Sequence, residues 1–324
     1  MKKSLMILGG TGFFGKVFLD AYLKNSLNNQ NINNLILVGN NFKEVKKIIS
    51  ESKKKKKILN IKLNLRKAKK LPYADYIIYA AEYVAYNKIL NNHKNNKAVQ
   101  TLDNCFKILS NNVFLKSKIL YVSSGAVYKK HDFFKSRKFT EKSEIYSLKS
   151  IKYKTIKEMY LANKLIGEKK ISELCKMYSR KTSIVRCFAL IGKYIPLTKH
   201  YIIGNLLNSV IKKKMIKIYE ESSKFVFRSY MHTDDLVKCL MNVLISSNKK
   251  CPIYNVGSEN PISIWELGNY FSKKFNIKVI YPKQNMRKFD FYIPCVKKIK
   301  KKFNLDLDTN VHHLIDRTIK DIRS

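Results

Sequence analysis

A glycine-rich segment near the N-terminus constrains the fold of this chain more than any other feature. Four of the eleven glycines lie at positions 9, 10, 12 and 15, directly after the apolar run Ser4–Leu8 and before an amphipathic stretch. Glycine permits positive φ, lets backbone N–H groups approach a pyrophosphate and lets a helix pack close to a strand. The following helix N-terminus then faces the phosphates. The G-x-x-G-x-x-G pattern therefore predicts the first βα unit of a dinucleotide-binding domain.

The order of the apolar segments predicts a parallel sheet flanked by helices. Through the first 190 residues, short apolar runs alternate with longer amphipathic ones. The predicted strands are Ser4–Leu8, Asn34–Val38, Ile58–Leu63, Tyr76–Ala80, Lys118–Ser123 and Thr182–Arg186, and the predicted helices are Phe13–Lys24, Phe42–Ser52, Lys97–Ser110 and about Thr155–Tyr178. The less regular remainder predicts helices Gly204–Lys213 and Asp234–Ser247, a helix opened by the capping box Ser263–Glu266, a helix after Asp308, and strands Ile216–Tyr219 and Ile253–Val256.

The charge of the chain suggests a nucleic-acid-binding protein at first sight. There are 65 basic and 23 acidic residues, which gives a formal net charge of +42. However, eight of the basic residues are Arg, the side chain best suited to bidentate phosphate and base contacts, and the chain also carries thirty Asn. Lys and Asn are the residues that an AT-rich genome over-supplies, so mutational bias explains their excess more simply than selection for phosphate binding. We therefore expect no specific nucleic-acid partner, only weak and salt-sensitive binding of polyanions.

Disulfides, metal ions and membranes play no part in the expected structure. The six cysteines include no C-x-x-C pair and lie mostly in apolar stretches, so we predict reduced, buried thiols. His312 and His313 point to different helix faces, which predicts no metal site. The longest apolar runs fall far short of the roughly 20 residues that span a bilayer, and the N-terminal run is too short for a signal peptide. We expect a cytoplasmic protein with no membrane partner.

Three Tyr-x-x-x-Lys pairs occur, and position has to distinguish among them: Tyr153/Lys157, Tyr160/Lys164 and Tyr270/Lys274. With 20 Tyr and 57 Lys, chance alone accounts for about as many. Tyr160/Lys164 lies on the long helix before the sixth predicted strand, where residues i and i+4 share a face. The Lys164 ammonium would stabilise the phenolate and lower the pKa of Tyr160, which makes the phenol a usable acid/base near neutral pH.

Ser124 lies at the end of the fifth predicted strand, in the segment YVSSGAVY of residues 121–128. Hydroxyl groups at the carboxyl end of a parallel strand point into the crevice where open α/β sheets bind ligands. Taken by itself this segment could be an ordinary exit from a strand. Together with the glycine-rich turn and the Tyr160/Lys164 helix, it indicates an active-site hydroxyl.

These motifs, in this order and spacing, resemble the extended short-chain dehydrogenase/reductases, specifically the NAD(P)-dependent nucleotide-sugar epimerase/dehydratase family. The resemblance covers nearly the whole chain and includes Arg186, 228–235, 254–257 and 292–294. It implies an α/β fold in which a Rossmann-type doubly wound parallel sheet is joined to a smaller C-terminal substrate-binding domain. Residues 1–186 plus about 229–258 are expected to form the first domain, and residues 187–228 plus 259–324 the second. A homodimer that acts on a nucleotide-diphosphate sugar is implied as well.

The same resemblance assigns roles to individual residues. Ser124 would hydrogen-bond the sugar oxygen undergoing redox, Tyr160 would exchange its proton, and Lys164 would also hold the nicotinamide ribose. The remaining cofactor-binding residues are expected to be Gly9, Thr11, Gly12, Phe13, Phe14, Gly15, Asn40, Ala80 and Ala81. The remaining substrate-binding residues are expected to be Glu82, Asn205, Arg228 and Arg287. The two arginines suit a diphosphate, because guanidinium groups bind phosphate oxygens in a bidentate manner.

The reaction and the substrate stay open at this point. In the 4,6-dehydratases of the family, carboxylates that move protons directly follow the catalytic hydroxyl residue; here Gly125 and Ala126 follow Ser124. This favours an epimerase or a 4-ketoreductase. The segment 80–82 resembles one that dehydratases share and keeps that activity as an alternative, beside a non-catalytic dinucleotide-binding sensor. Ala189 and Cys295 replace the Asn and Asp usual in the family, which leaves the sugar undefined.

The coenzyme is also open between NAD and NADP. An acidic residue at the end of the second strand usually holds the ribose hydroxyls of NAD. The strand here ends in Val38-Gly39-Asn40-Asn41, without a carboxylate to repel a 2′-phosphate, and Lys43 follows closely. The sequence therefore leans slightly towards NADP.

Overall fold

A computed structural model describes residues 2–323 except 53, 55, 83–96, 131–135, 199–200, 220–222, 284–288 and 308–309. The strands in this part of the chain are β1 (Lys3–Leu8), β2 (Ile32–Gly39), β3 (Ile58–Lys62), β4 (Tyr76–Tyr79), β5 (Lys118–Ser124), β6 (Lys181–Cys187), β7 (Leu190–Ile191), β8 (Ile216–Lys217), β9 (Val226–Arg228), β10 (Met231–His232), β11 (Ile253–Val256), β12 (Ile262–Ser263), β13 (Val279–Ile280) and β14 (Asp290–Tyr292). The helices are α1 (Phe13–Leu23), α2 (Lys43–Glu51), α3 (Lys97–Leu109), α4 (Ile156–Tyr178), α5 (Ile202–Ile211), α6 (Thr233–Ile245), α7 (Ile264–Phe275), α8 (Lys297–Phe303) and α9 (Val311–Arg323).

Seven strands form one sheet in the order β11-β6-β5-β4-β1-β2-β3. The pairs β1–β2, β2–β3, β1–β4 and β4–β5 are parallel. The chain builds outward from β1 to β3 and then returns to the other side of β1 for β4. Ligands of open α/β sheets bind at such a reversal, outside the carboxyl ends of the strands. The predicted α/β fold class is confirmed, and the glycine-rich turn and residues 80–82 both follow strands at this reversal.

Continuous apolar runs account for the central strands. Leu5, Met6, Ile7 and Leu8 of β1 have no exposed surface, as expected of a strand covered by helices on both faces. The helix that carries the candidate catalytic residues, α4, begins with a capping box in which Thr155 and Glu158 satisfy each other's backbone N–H groups. Among the described residues, no helix combines the length and apolarity needed to cross a membrane.

The chain divides into two compact units. The first comprises residues 1–129, 144–186 and 237–254, and the second comprises residues 130–143, 187–236 and 255–324. Residues 130–143 therefore lie in the second unit, although the expected boundaries placed them in the first. Two hydrogen bonds account for this placement: Phe139 N–H donates to the carbonyl of Ile293, and Asn255 N–H donates to a carboxylate oxygen of Glu141. Residues 231–232 were also expected in the first domain, but they form β10 and pair with β7 inside the second unit.

The second unit contains short strands that the periodicity of the sequence did not reveal. A three-stranded sheet has the order β12-β9-β14, with β12 antiparallel and β14 parallel to β9. The predicted capping box Ser263–Glu266 is present and opens α7. The predicted strand 216–219 ends at Lys217 and pairs with β13.

Candidate functional site

The turn between β1 and α1 uses glycine for different reasons at different positions. Gly9 has φ +92°, and a Cβ added there would lie 2.7 Å from the backbone nitrogen of Ala81. A Cβ added at Gly15 would lie 2.0 Å from the carbonyl oxygen of Gly10, so α1 packs directly on the turn. At Gly12 the nearest protein atom to an added Cβ would be the Gly9 oxygen at 3.3 Å. Contacts with other protein atoms thus explain the need for glycine at positions 9 and 15 better than they explain it at position 12.

The N-terminus of α1 fits the pyrophosphate of a dinucleotide. Gly12 is the N-cap, it has no side chain to cap the helix, and the first turn contains no acidic residue. The first N–H groups of a helix lack intrahelical acceptors and, with the helix dipole, favour an anion. Phe13 and Phe14 begin the helix with their rings edge to face, 5.2 Å apart. An anion could therefore approach the turn at Gly12, where no side chain intervenes.

The walls of this cradle come from the ends of β2 and β4. Thr11 packs against the end of β2, because a Cβ added at Gly39 would lie 2.7 Å from the Thr11 hydroxyl oxygen. Gly39 was not among the predicted site residues; it lies at the end of β2 beside Asn40. Asn40 is exposed, and Ala80 and Ala81 lie against Gly9. The structure thus brings most of the predicted cofactor-binding residues to one edge of the sheet.

Tyr160 and Lys164 lie beside each other on α4, as their spacing predicts. The Lys164 Nζ atom is 5.3 Å from the centroid of the Tyr160 ring. It donates a hydrogen bond of 3.0 Å to the carbonyl of Val122, two residues before Ser124 on β5. It also lies 3.3 Å from the Glu82 Oε2 atom, and the Lys164 side chain is 9% exposed. The ammonium is therefore held where α4 meets the ends of β4 and β5.

The adjacent residues Ser123 and Ser124 have different partners. Ser123 donates to a Glu168 carboxylate oxygen at 2.6 Å, and Arg186 forms two hydrogen bonds with the same carboxylate, at 2.9 and 2.7 Å. Ser124 accepts a hydrogen bond from the N–H of Ala126 at 3.2 Å. The buried Glu168–Arg186 pair links α4 to β5 and β6, so it fixes the strand that carries Ser124 relative to the helix that carries Tyr160. Sequence reasoning did not identify this role, although Glu168 follows Lys164 by four residues on the same helix face.

The other two Tyr-x-x-x-Lys pairs lack this environment. Tyr270 donates to Asp316 at 3.0 Å, and the Lys274 ammonium pairs with the other oxygen of that carboxylate at 3.0 Å. Burial, together with the Asp316 carboxylate, raises the pKa of Tyr270 to about 12, the opposite of activation. Tyr153 has φ +58° and precedes the start of α4, so Tyr153 and Lys157 do not share a helical turn.

In the second unit, Arg228 is held by Asp290. One guanidinium nitrogen donates to the carbonyl oxygens of Phe227 and Asp290 at 2.8 and 3.3 Å, and another lies 3.5 Å from the Asp290 carboxylate. Lys130 pairs with the same carboxylate at 2.9 Å. Asp290 was not predicted as a site residue.

Asn205 and Arg287 are the two other predicted substrate-binding residues in the second unit. Asn205 on α5 donates to the carbonyl of Lys217 at 3.4 Å. Arg287 lies outside the described residues.

Comparisons with known proteins agree with this geometry. Residues 5–257 match the NAD dependent epimerase/dehydratase family. Among curated protein sequences, none matches the chain.

Several solved structures share the fold. A dTDP-glucose 4,6-dehydratase from Streptomyces venezuelae with NAD bound is 17% identical, with TM-score 0.79 over 99% of this chain and 97% of that one. A UDP-N-acetylglucosamine 4-epimerase from Methanobrevibacter ruminantium M1, in complex with UDP-N-acetylmuramic acid, is 17% identical, with TM-score 0.77 over 100% and 99%. A dTDP-glucose 4,6-dehydratase from Bacillus anthracis str. Ames, in complex with NAD, is 15% identical, with TM-score 0.74 over 99% and 96%. At these identities the likeness establishes the fold.

Proposed function

The chain belongs to the NAD dependent epimerase/dehydratase family, and from that premise we propose that it modifies a nucleotide-diphosphate sugar by hydride transfer at a sugar carbon, as an epimerase or a 4-ketoreductase. The observation that carries this proposal is the contact between Lys164 and Tyr160, 5.3 Å from ammonium to ring centroid. This pair lies in the same unit as Ser124 and the glycine-rich cradle.

The side chains supply the proton chemistry that such a reaction needs. When bound, NAD(P) supplies the hydride acceptor or donor. Tyr160 removes the proton from the sugar hydroxyl as the C–H hydride leaves, which converts the alcohol to a ketone, and Ser124 hydrogen-bonds the same oxygen. The Lys164 ammonium stabilises the phenolate form of Tyr160, which is the form that accepts this proton. In the reverse direction, Tyr160 returns its proton to the oxygen. An epimerase uses both directions at one carbon, whereas a ketoreductase uses the second.

The environment of Ser124 favours these reactions over dehydration. Residues 125–127 form a short 3-10 turn that Ser124 caps, so Gly125 and Ala126 occupy the positions directly after the hydroxyl residue. Neither can act as the acid and base that removal of water across C5 and C6 requires. A 4,6-dehydratase, with Glu82 as the proton-transferring carboxylate, is the alternative. A non-catalytic dinucleotide-binding sensor is a second alternative, which the placement of Lys164 beside Tyr160 disfavours because a sensor needs no activated phenol.

NAD(P) is the cofactor expected of the family, and we keep the slight preference for NADP within this proposal. Asn40 is exposed, and the Asn41 side chain accepts a hydrogen bond from the N–H of Lys43, so no carboxylate directly follows Gly39. The nearest acidic residue along the chain, Glu44, is paired with Lys16 at 2.6 Å. NAD is bound in two of the solved structures described above. Calorimetric titration with both coenzymes decides the matter, and a hundredfold preference for NAD would overturn the preference for NADP.

For the substrate, we propose that Arg228, together with Arg287, binds the diphosphate, because a guanidinium group is suited to two phosphate oxygens at once. A homodimer, which the family resemblance implies, belongs to the same proposal. Sedimentation of the purified protein tests the oligomeric state.

The reaction is tested by product mass. The protein is incubated with dTDP-, UDP-, GDP- and CDP-hexoses and oxidised coenzyme, and separately with 4-keto sugars and reduced coenzyme. An isomer of unchanged mass identifies an epimerase, and a keto substrate that gains two hydrogens identifies a reductase. Loss of one water would refute the main proposal in favour of the dehydratase. Coenzyme binding without turnover of any nucleotide-sugar would favour the sensor, and thermal stabilisation by each sugar provides a binding readout in that case.

A further inference from the structure

Glu82 contacts the ammonium of Lys164 directly. The Glu82 Oε2 atom lies 3.3 Å from Lys164 Nζ, and the two side chains are 25% and 9% exposed. We infer that Glu82 is a positioning residue of the Lys164–Tyr160 pair, whose carboxylate fixes the ammonium and limits the positive charge that Tyr160 experiences. This inference rests on the proposed function in that Tyr160 is taken to be the proton-transfer group.

Two anchors from neighbouring strands hold the lysine. The carbonyl of Val122 on β5 accepts a hydrogen bond from Nζ at 3.0 Å, and Glu82 follows the end of β4. A buried charge is stabilised by an opposite charge at close range. The carboxylate supplies that charge, whereas a carbonyl dipole supplies only part of it. Glu82 therefore orients the ammonium and offsets part of its positive charge.

The charges of Lys164 and Glu82 both affect the pKa of a neighbouring phenol, Tyr121. Burial raises the pKa of Tyr121 above its ordinary value, while the Lys164 ammonium lowers it and the Glu82 carboxylate raises it. Lys164 lies 5.8 Å from the centroid of that ring and 5.3 Å from the centroid of Tyr160. The centroids of the Tyr121 and Tyr160 rings are thus at comparable distances from the ammonium. An opposing effect of Glu82 on Tyr160 follows from the same electrostatics.

The other ionisable groups described around the Lys164–Tyr160 pair either have their charge compensated or stay neutral near pH 7. On α4, Glu168 is bound by Arg186 and Ser123, so a guanidinium compensates its charge. On β4 and β5, the phenols of Tyr79 and Tyr121 are buried with pKa values raised by that burial, so they stay neutral near pH 7. Among these groups, Glu82 is the carboxylate that contacts Lys164 directly.

The kinetic test is the pH profile of Glu82→Gln. Loss of the negative charge strengthens the effect of Lys164 on the phenol, so the rise of kcat/KM with pH in the alcohol-oxidising direction moves to lower pH by roughly half to one unit. If Glu82 holds Lys164 and not the sugar, as inferred here in place of the expected substrate contact, KM for the nucleotide-sugar changes less than about twofold. Glu82→Asp keeps the charge and restores most of the wild-type profile.

Glu144→Gln is the matched control. It removes the same charge from the same unit, but from an exposed pair with Lys129, so the profile stays in place. A tenfold rise in KM for Glu82→Gln with an unmoved profile would instead make Glu82 a substrate ligand and overturn the inference. A Glu82→Gln variant with wild-type KM and profile would overturn it too.

A second measurement does not depend on turnover. In a double-mutant cycle of Glu82→Gln and Lys164→Met, contact between the side chains makes the changes in Tm non-additive by about 1–4 °C. Additive changes overturn the inference whatever the activity. If the wild-type protein turns over no nucleotide-sugar and the cycle is non-additive, the proposed function fails while the Glu82–Lys164 pairing stands.

Discussion

Replacing Arg186 by methionine tests the buried ion pair that fixes the catalytic helix to the sheet. The Arg186 and Glu168 side chains are 4% and 9% exposed, and two hydrogen bonds of 2.9 and 2.7 Å join them. Burial opposes the charged form of Arg186, but the Glu168 carboxylate outweighs burial and raises the pKa of the guanidinium above its ordinary value. The guanidinium of Arg186 therefore stays charged throughout the ordinary pH range.

The expected loss follows from what the substitution leaves behind. A methionine side chain fills much of the volume of the arginine, so the main loss is an uncompensated Glu168 carboxylate that keeps the Ser123 hydroxyl as a partner. Breaking one side of a buried pair destabilises a protein by about 3–5 kcal/mol. The contact of the guanidinium with the Tyr128 ring, 4.8 Å from the centroid, adds about 0.5–1 kcal/mol.

Urea unfolding followed by circular dichroism measures the change in the free energy of unfolding. The control, Lys129→Met, removes a cation from the exposed pair with Glu144 and is expected to change that free energy by at most about 1 kcal/mol. The double variant Glu168→Met/Arg186→Met removes both charges of the pair and is expected to recover most of the loss. If the double variant is as unstable as Arg186→Met, or less stable, the reasoning from an uncompensated charge is refuted.

Three further substitutions test the site and the scaffold. Tyr160→Phe should reduce turnover at least about a hundredfold while calorimetry shows nearly intact coenzyme binding, because only the proton-transfer group is lost; an equal reduction in Tyr270→Phe would refute the choice of Tyr160. Gly12→Val should abolish coenzyme binding by blocking the open face of the turn, and it should lower Tm less than Gly9→Val does, because an added Cβ would lie 3.3 Å from the nearest protein atom at Gly12 and 2.7 Å at Gly9; retained binding would refute the cradle. Arg180→Met should destabilise the protein by about 3 kcal/mol or more in urea unfolding, because the buried guanidinium donates to the carbonyl oxygens of Leu109, Ser110, Asn111 and Tyr178; a loss below about 1 kcal/mol would contradict this.

Local patterns predicted the first unit well. The strands of the sheet could be located to within one or two residues, because strands covered on both faces are continuous apolar runs. The helix with Tyr160 and Lys164 was predictable for a different reason: the spacing of side chains along a helix is fixed by its period. The relative placement of these two residues therefore follows from sequence alone.

Contacts between distant residues were not predictable in this way. Tyr270 and Lys274 have the same spacing as the candidate catalytic pair, but Asp316, which binds both, lies on another helix far along the chain. Likewise, the hydrogen bond between Phe139 and Ile293 places residues 130–143 in the second unit. The contact of Glu82 with Lys164 depends on the end of β4 lying beside α4. No local periodicity encodes such pairings.

The interleaving of the two units has a consequence for synthesis of the chain on the ribosome. The β11 strand covers β6 in the finished sheet, but the chain between them, residues 188–252, belongs largely to the second unit. At roughly 5–20 residues per second, translation of that interval takes on the order of 3–13 s. During this time the backbone N–H and C=O groups along one side of β6 have no strand to pair with. A nascent chain is therefore open to edge-to-edge association with other chains at β6 until residue 256 has emerged.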